Sequence, residues 1–172
     1  AIETHQDMVH MTSELKMPKY WLKAASGYSF LFSNGMKERI VPLTPYEEKI
    51  METAPTDDEV LAAKHLPYRE LLGVMSFPAS CCKFEMKYAV SVLGSRRGAW
   101  SSKHFEVVKK VFEYGVWTRE LGVIYSKGLD PHGDNILYGY ADASLKVPRP
   151  YGCRITMMNG AAICFKAKKQ VL

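Results

Sequence analysis

"ILYGYADASLKVPRPYGCRITMMNGAAICFKAKKQ", residues 136–170, is the stretch from which the fold is read. Three short runs rich in β-branched and aromatic residues, ILYGYADAS, CRITMM and AAICFKA, alternate with turn signals. Pro148-Arg149-Pro150-Tyr151-Gly152 separates the first two, and Asn159-Gly160 separates the second two. Asn-Gly between apolar runs is the strongest short-range hairpin signal, so an antiparallel meander of about three strands is expected. VIYS adds a strand before it, across the turn region Asp130-Pro131-His132-Gly133-Asp134-Asn135.

Upstream, the period changes from two to between three and four. In SSKHFEVVKKVFEYGVWTRELG, Phe105, Val108, Phe112 and Gly115/Val116 recur at helical steps behind a Ser101 or Ser102 cap. PYRELLGVMSFPA and KFEMKYAVSVLGS predict two shorter helices. Thr44-Pro45-Tyr46-Glu47 and Thr56-Asp57-Asp58-Glu59 each combine an N-cap threonine with an acid three residues on, predicting two short acidic helices. Helices followed by a meander define an α+β chain. The expected divisions are an unassigned segment at 1–34, a helical region at 35–125 and a small sheet at 126–172. Within the first, residues 1–17 carry weak helical spacing, and YSFLF before Asn34-Gly35 reads as a strand.

At 172 residues the chain can bury a real core. No apolar run approaches the roughly 20 residues of a membrane span. AIETHQDMVHM has no basic flank leading into an apolar stretch, so it does not read as a signal peptide. Cys81, Cys82, Cys153 and Cys164 fit neither a zinc ribbon nor a disulfide framework and are expected as buried, reduced thiols, with a reducing compartment as the default. His5 and His10, near Asp7 and Glu14, are read as surface histidines rather than metal ligands. The charge is divided: residues 1–66 carry a net −3 and residues 67–172 a net +8. The second part could attract a polyanion.

The ordered series PYRELLGVMSF, KYAVSVLGS, KHFEVVKKVFEYG, GVIYS, LYGYADAS and YGCRITMMNGAAICFKAKKQ resembles the end of the polymerase polyprotein of copia-type LTR retrotransposons. There, the thumb or connection of a reverse transcriptase runs into RNase H. GMKERIVPLTPYEEK resembles the Pro-rich segment preceding the thumb. The resemblance implies a thumb/connection-like helical region joined to the first strands of an RNase H-like sheet. It implies no polymerisation by this chain, because the palm's Tyr-x-Asp-Asp motif does not occur in it.

The resemblance also makes Asp142 the first of four RNase H carboxylates. The sequence given stops at Leu172, before the helix expected to carry the Glu. Two-metal hydrolysis needs several hard oxygen ligands, so a single aspartate is expected to be vestigial. No cofactor is expected, and Mg²⁺ only where acids from elsewhere complete the site. An incomplete sheet leaves Ile155, Met157, Ile163 and Phe165 needing cover, either from the preceding helices or from a protein partner.

Three functions follow. The first is a catalytically incompetent structural or binding subunit of a larger assembly. The second is part of an active reverse transcriptase/RNase H whose other acids lie beyond this chain. The third is a nucleic-acid-binding module using Arg96, Arg97, Lys103, Lys109, Lys110, Arg149, Lys166, Lys168 and Lys169, with Trp100 or Tyr151 stacking on bases.

Overall fold

A helix that is apolar on most sides must be surrounded, and Ser102–Trp117 (α7) is that helix here. Phe105, Val107, Val108, Val111, Phe112 and Val116 are all buried. In the computed structural model, which describes residues 2–143 and 151–169, the other helices pack around it. Pro18–Tyr28 (α1), Pro45–Glu52 (α2), Asp57–Ala63 (α3), Tyr68–Ser76 (α4) and Lys87–Gly94 (α6) touch it directly, and Pro78–Cys81 (α5) packs on α4 and α6. Both predicted capping boxes are present: Thr44 with Glu47 opens α2, and Thr56 with Glu59 opens α3. Glu47 is buried and holds Arg39 and Lys110, which pins the loop before α2 against α7.

Two three-stranded antiparallel sheets flank the helices, which makes the chain α+β. One is ordered Glu3–Asp7 (β1), Thr12–Lys16 (β2), Val123–Ser126 (β3). The other is ordered Tyr138–Ala143 (β4), Tyr151–Met158 (β5), Ala161–Lys169 (β6), the meander read from the sequence. Asn159 and Gly160 both take positive φ, 51° and 79°, as the two-residue hairpin turn requires. The sheets meet where the Tyr125 hydroxyl donates to the Ala162 carbonyl at 2.8 Å and the Ser126 N–H donates to the Asn159 carbonyl at 3.1 Å.

Residues 1–34 depart from expectation. Residues 1–17 were expected to lean helical, yet 3–16 form the β1–β2 hairpin, whose polar alternation pairs with β3 far along the chain. Met8 and Val9, which suggested a helical stripe, project from its tip, Val9 being 86% exposed. YSFLF was expected as a strand, but it closes α1 and continues as a 3-10 turn, Ser29–Leu31. Tyr28 and Phe32 there pack on Phe112, so tertiary contact overrides local β preference. Gly122 permits the chain to return beside β2, because a Cβ at that position would lie 2.3 Å from the Leu15 carbonyl oxygen. The turn read at Pro148-Arg149-Pro150 and the side chain of Lys169 lie outside the described residues.

The N-terminus of α7 is built around a buried histidine. The Ser101 N–H and hydroxyl lie 3.3 and 2.8 Å from His104 Nδ1, and Nε2 faces the Thr53 carbonyl at 3.1 Å. The Nε2–H tautomer satisfies every one of these groups. Burial lowers the His104 pKa below 6.5, and the Thr53 carbonyl only partly opposes that. The unfolded chain therefore binds a proton that the folded chain refuses. This contribution to stability is full above about pH 6.5 and is lost as pH falls through the lower folded value. Urea unfolding between about pH 7.5 and 5.5 is expected to show falling stability. His104→Gln, which keeps the capping box, should flatten that part of the profile. An unchanged pH slope in the variant would contradict this account of His104.

Candidate functional site

Asp142 lies in β4 opposite Cys153 of β5, which is opposite Ala167 of β6. It is exposed, and its Oδ1 accepts the Ala143 N–H at 2.8 Å. The acids nearest in sequence are committed elsewhere. Asp130 accepts from the His132 and Gly160 N–H groups at 3.0 and 3.1 Å, and Asp134 accepts from the Gly128 N–H at 2.7 Å. Gly160 marks the β5–β6 turn beside Tyr138, four residues before Asp142. At about 3.4 Å per strand residue, Asp130 is held on the order of 13 Å along the sheet from Asp142. Among the described residues, no group of three or more His, Cys, Asp or Glu could hold a metal ion. A lone carboxylate accepting the neighbouring Ala143 N–H does not fit a two-metal Mg²⁺ centre. His10 instead pairs with Asp7 at the β1–β2 tip, 2.6 Å apart.

Of the cations expected to meet nucleic acid, those on or before α7 other than Arg97 are tied up in contacts within the chain, whereas Lys166 and Lys168 share one face of the C-terminal sheet. Arg96 bonds the Met51 carbonyl at 3.1 Å and also the Glu52 carbonyl, satisfying the C-terminal end of α2. Lys103 pairs with Glu59 at 3.6 Å, Lys109 with Glu106 at 3.1 Å and Lys110 with Glu47 at 3.1 Å. Lys109 also lies 5.4 Å over the Phe32 ring. Arg97 is exposed in the turn after α6. Trp100, a stacking candidate, is buried against Tyr68 with ring centroids 5.1 Å apart and donates its indole N–H to the Ala63 carbonyl. Tyr151 is half-buried and meets Tyr88 edge to face.

The apolar side of the C-terminal sheet is covered in part by this chain's own helices. α5 and α6 pack on β6, and the Ser91 hydroxyl donates to the Ala167 carbonyl at 2.9 Å. Ile155, Met157 and Phe165 are half-buried, while Ile163 occupies a bulge and is 40% exposed. β4 keeps little cover, with Tyr140 59% exposed. The exposed apolar surface of this sheet therefore lies at β4 and Ile163 more than at Ile155, Met157 and Phe165.

The sequence reading missed a row of cations on the opposite side of this sheet. Residues paired across strands share a face, so Ala141, Arg154 and Lys166 form one row and Ala143, Gly152 and Lys168 the next. They border an open cleft of about 470 Å³. Lys166 and Lys168 were already candidates for nucleic-acid contact, but Arg154 was not, and its alignment with Lys166 depends on the bulge.

A second polar cluster is internal. Lys83, 2% exposed, donates to the Thr118 carbonyl and, at 2.9 Å, to its hydroxyl, and meets Glu85 at 3.5 Å. Burial lowers the Lys83 pKa, and burial pushes the Tyr114 phenol, which donates to Glu85, up to about 12. The ammonium satisfies the carbonyl end of α7, which is a structural role. All four cysteines are free, but of the thiols expected to be buried only Cys82 is; Cys81 and Cys153 are half-buried and Cys164 is exposed on β6.

The fold and site define an α+β protein with a lone strand aspartate and a separate cationic sheet face. Comparison with family models, curated proteins and solved structures returned no match for this chain. No helix among the described residues is long and apolar enough to cross a membrane.

Proposed function

We propose that this chain is a retroelement-derived segment, related to the thumb/connection and early RNase H part of copia-type reverse transcriptases, that acts through contacts rather than by cutting nucleic acid. It serves as a structural or binding component of a larger assembly, with another protein as its partner. The observation that carries the reading is the isolation of Asp142, whose nearest acids in sequence are bonded into the β3–β4 loop at the other end of the sheet. The motif series that motivates the relationship falls in order on α4, α6, α7, β3, β4 and the β5–β6 hairpin.

Incubation with an RNA–DNA hybrid and Mg²⁺ tests it. Wild type and Asp142→Asn are both expected to leave the hybrid intact, at the level of a blank without protein. Mg²⁺-dependent cleavage that disappears in Asp142→Asn would overturn the reading and favour an active RNase H completed from outside these residues. The ion pairs of Lys103, Lys109 and Lys110 weigh against a nucleic-acid module built on α7.

A further inference from the structure

Strand β4 is the outer strand of its sheet, so one side of its main chain has no neighbouring strand among the described residues. Proteins usually blunt such an edge with lysine, proline, a bulge or a covering element. β4 reads YGYADA and carries neither lysine nor proline, and the irregularity in this sheet falls between β5 and β6 instead. Five of its six residues are exposed.

The face beside this edge is charged in an unusual way. Arg154 stands directly opposite Lys166, a like-charge cross-strand pair that disfavours the sheet unless an anion joins it. Lys168 lies in the next row, and none of the three has an ion pair among the described residues. On the edge side the neighbours are small: Ala141 beside Arg154, and Gly152 and Ala143 beside Lys168. Small Ala141 leaves the Arg154 guanidinium room to reach the open edge, and repulsion from Lys166 favours that side. A strand added there would lie about 10 Å from β5, a span that an arginine and a glutamate side chain bridge between them.

We propose that the β4 edge receives an extended acidic segment of another protein as a fourth strand. Its main chain pairs with β4, and its carboxylates meet Arg154 in the field of Lys166 and Lys168. The inference rests on the reading that this chain works by contacts, and it names the contact surface. A second copy of the chain is a poor occupant. Its β4 brings one acid, Asp142, on the face opposite Arg154, and two-fold β4–β4 pairing would set two cation rows on one face. A nucleic acid would engage the cations but leave the β4 amides without partners.

The probe is a labelled peptide of about ten residues alternating Val and Glu, compared with a Val/Lys peptide and with oligo-dT. The Val/Glu peptide is expected to bind the full chain and the Val/Lys peptide to fail. Arg154→Glu, an exposed change, is expected to weaken binding about tenfold or more. Amides of β4 should gain protection from hydrogen exchange in the complex. Absence of Val/Glu binding, equal binding by Arg154→Glu, or unchanged β4 exchange would each overturn the proposal. Oligo-dT binding tighter than the peptide would overturn it in favour of phosphate recognition. A failure here leaves the hybrid-cleavage result untouched, and cleavage there would leave peptide binding to be decided by this assay alone.

Discussion

Phe112→Ala is expected to cost this protein about 3–5 kcal/mol, the range for emptying a buried aromatic site. Phe112 is fully buried, and its ring lies 5.9 Å from Trp21, 6.0 Å from Tyr28 and 5.9 Å from Phe32. Those three partners come from α1 and the turn that follows it. One ring on α7 therefore ties the start of the chain to the central helix. Against a total stability on the order of 5–15 kcal/mol, such a loss removes a large share. Chemical denaturation measures it, and a loss below about 1 kcal/mol would show that the cluster does not hold the helices together.

Adding one methyl group nearby should also destabilise. A Cβ at Gly115 would lie 2.2 Å from Trp21 Cη2 and 2.6 Å from two other ring carbons. Trp21 is fully buried, so its ring has no solvent to move into. Gly115→Ala gains about 1 kcal/mol of helix propensity, but overpacking outweighs it. Set against an overpacking cost of about 1–3 kcal/mol, that leaves a net loss of up to about 2 kcal/mol, or up to roughly 8 °C in Tm for a chain of this size. Gly73→Ala in α4 is the matched control, because nothing lies within 4 Å of its Cβ position. It should raise stability by up to about 1 kcal/mol. Equal effects of the two substitutions would refute the close fit of α7 against Trp21.

Elements specified by local chemistry were legible in the sequence. Thr44 and Thr56 announced α2 and α3, the apolar spacing from Phe105 to Val116 announced α7, and Asn159-Gly160 placed the β5–β6 turn. Elements decided at a distance were not. Nothing in THQD or TSELK distinguishes strand from weak helix until β3 arrives to pair with β2. YSFLF looks extended until Tyr28 and Phe32 are given the ring of Phe112.

The site divides in the same way. That Asp130 and Asp134, the acids nearest Asp142 in sequence, belong to the turn before β4 could be read from their place in the chain. The cation row could not be read, because a regular hairpin about Asn159-Gly160 pairs Met158 with Ala161 and would set Arg154 against Phe165. The shift between Thr156 and Met157 moves Arg154 onto Lys166 instead. One extra residue on β6 turns an ordinary pairing into a row of like charges.

The β2–β3 ladder has a consequence for biosynthesis. β2 is translated long before its partner, Val123–Ser126, which follows all seven helices. At about 5–20 residues per second, the hairpin waits roughly 5–20 s on the ribosome with one side unpaired before β3 emerges. During that interval Met8 and Val9 at its tip and the open side of β2 are open to a nascent-chain chaperone. Ribosome stalling between α7 and β3 would therefore leave a nearly complete helical body trailing an unfinished sheet.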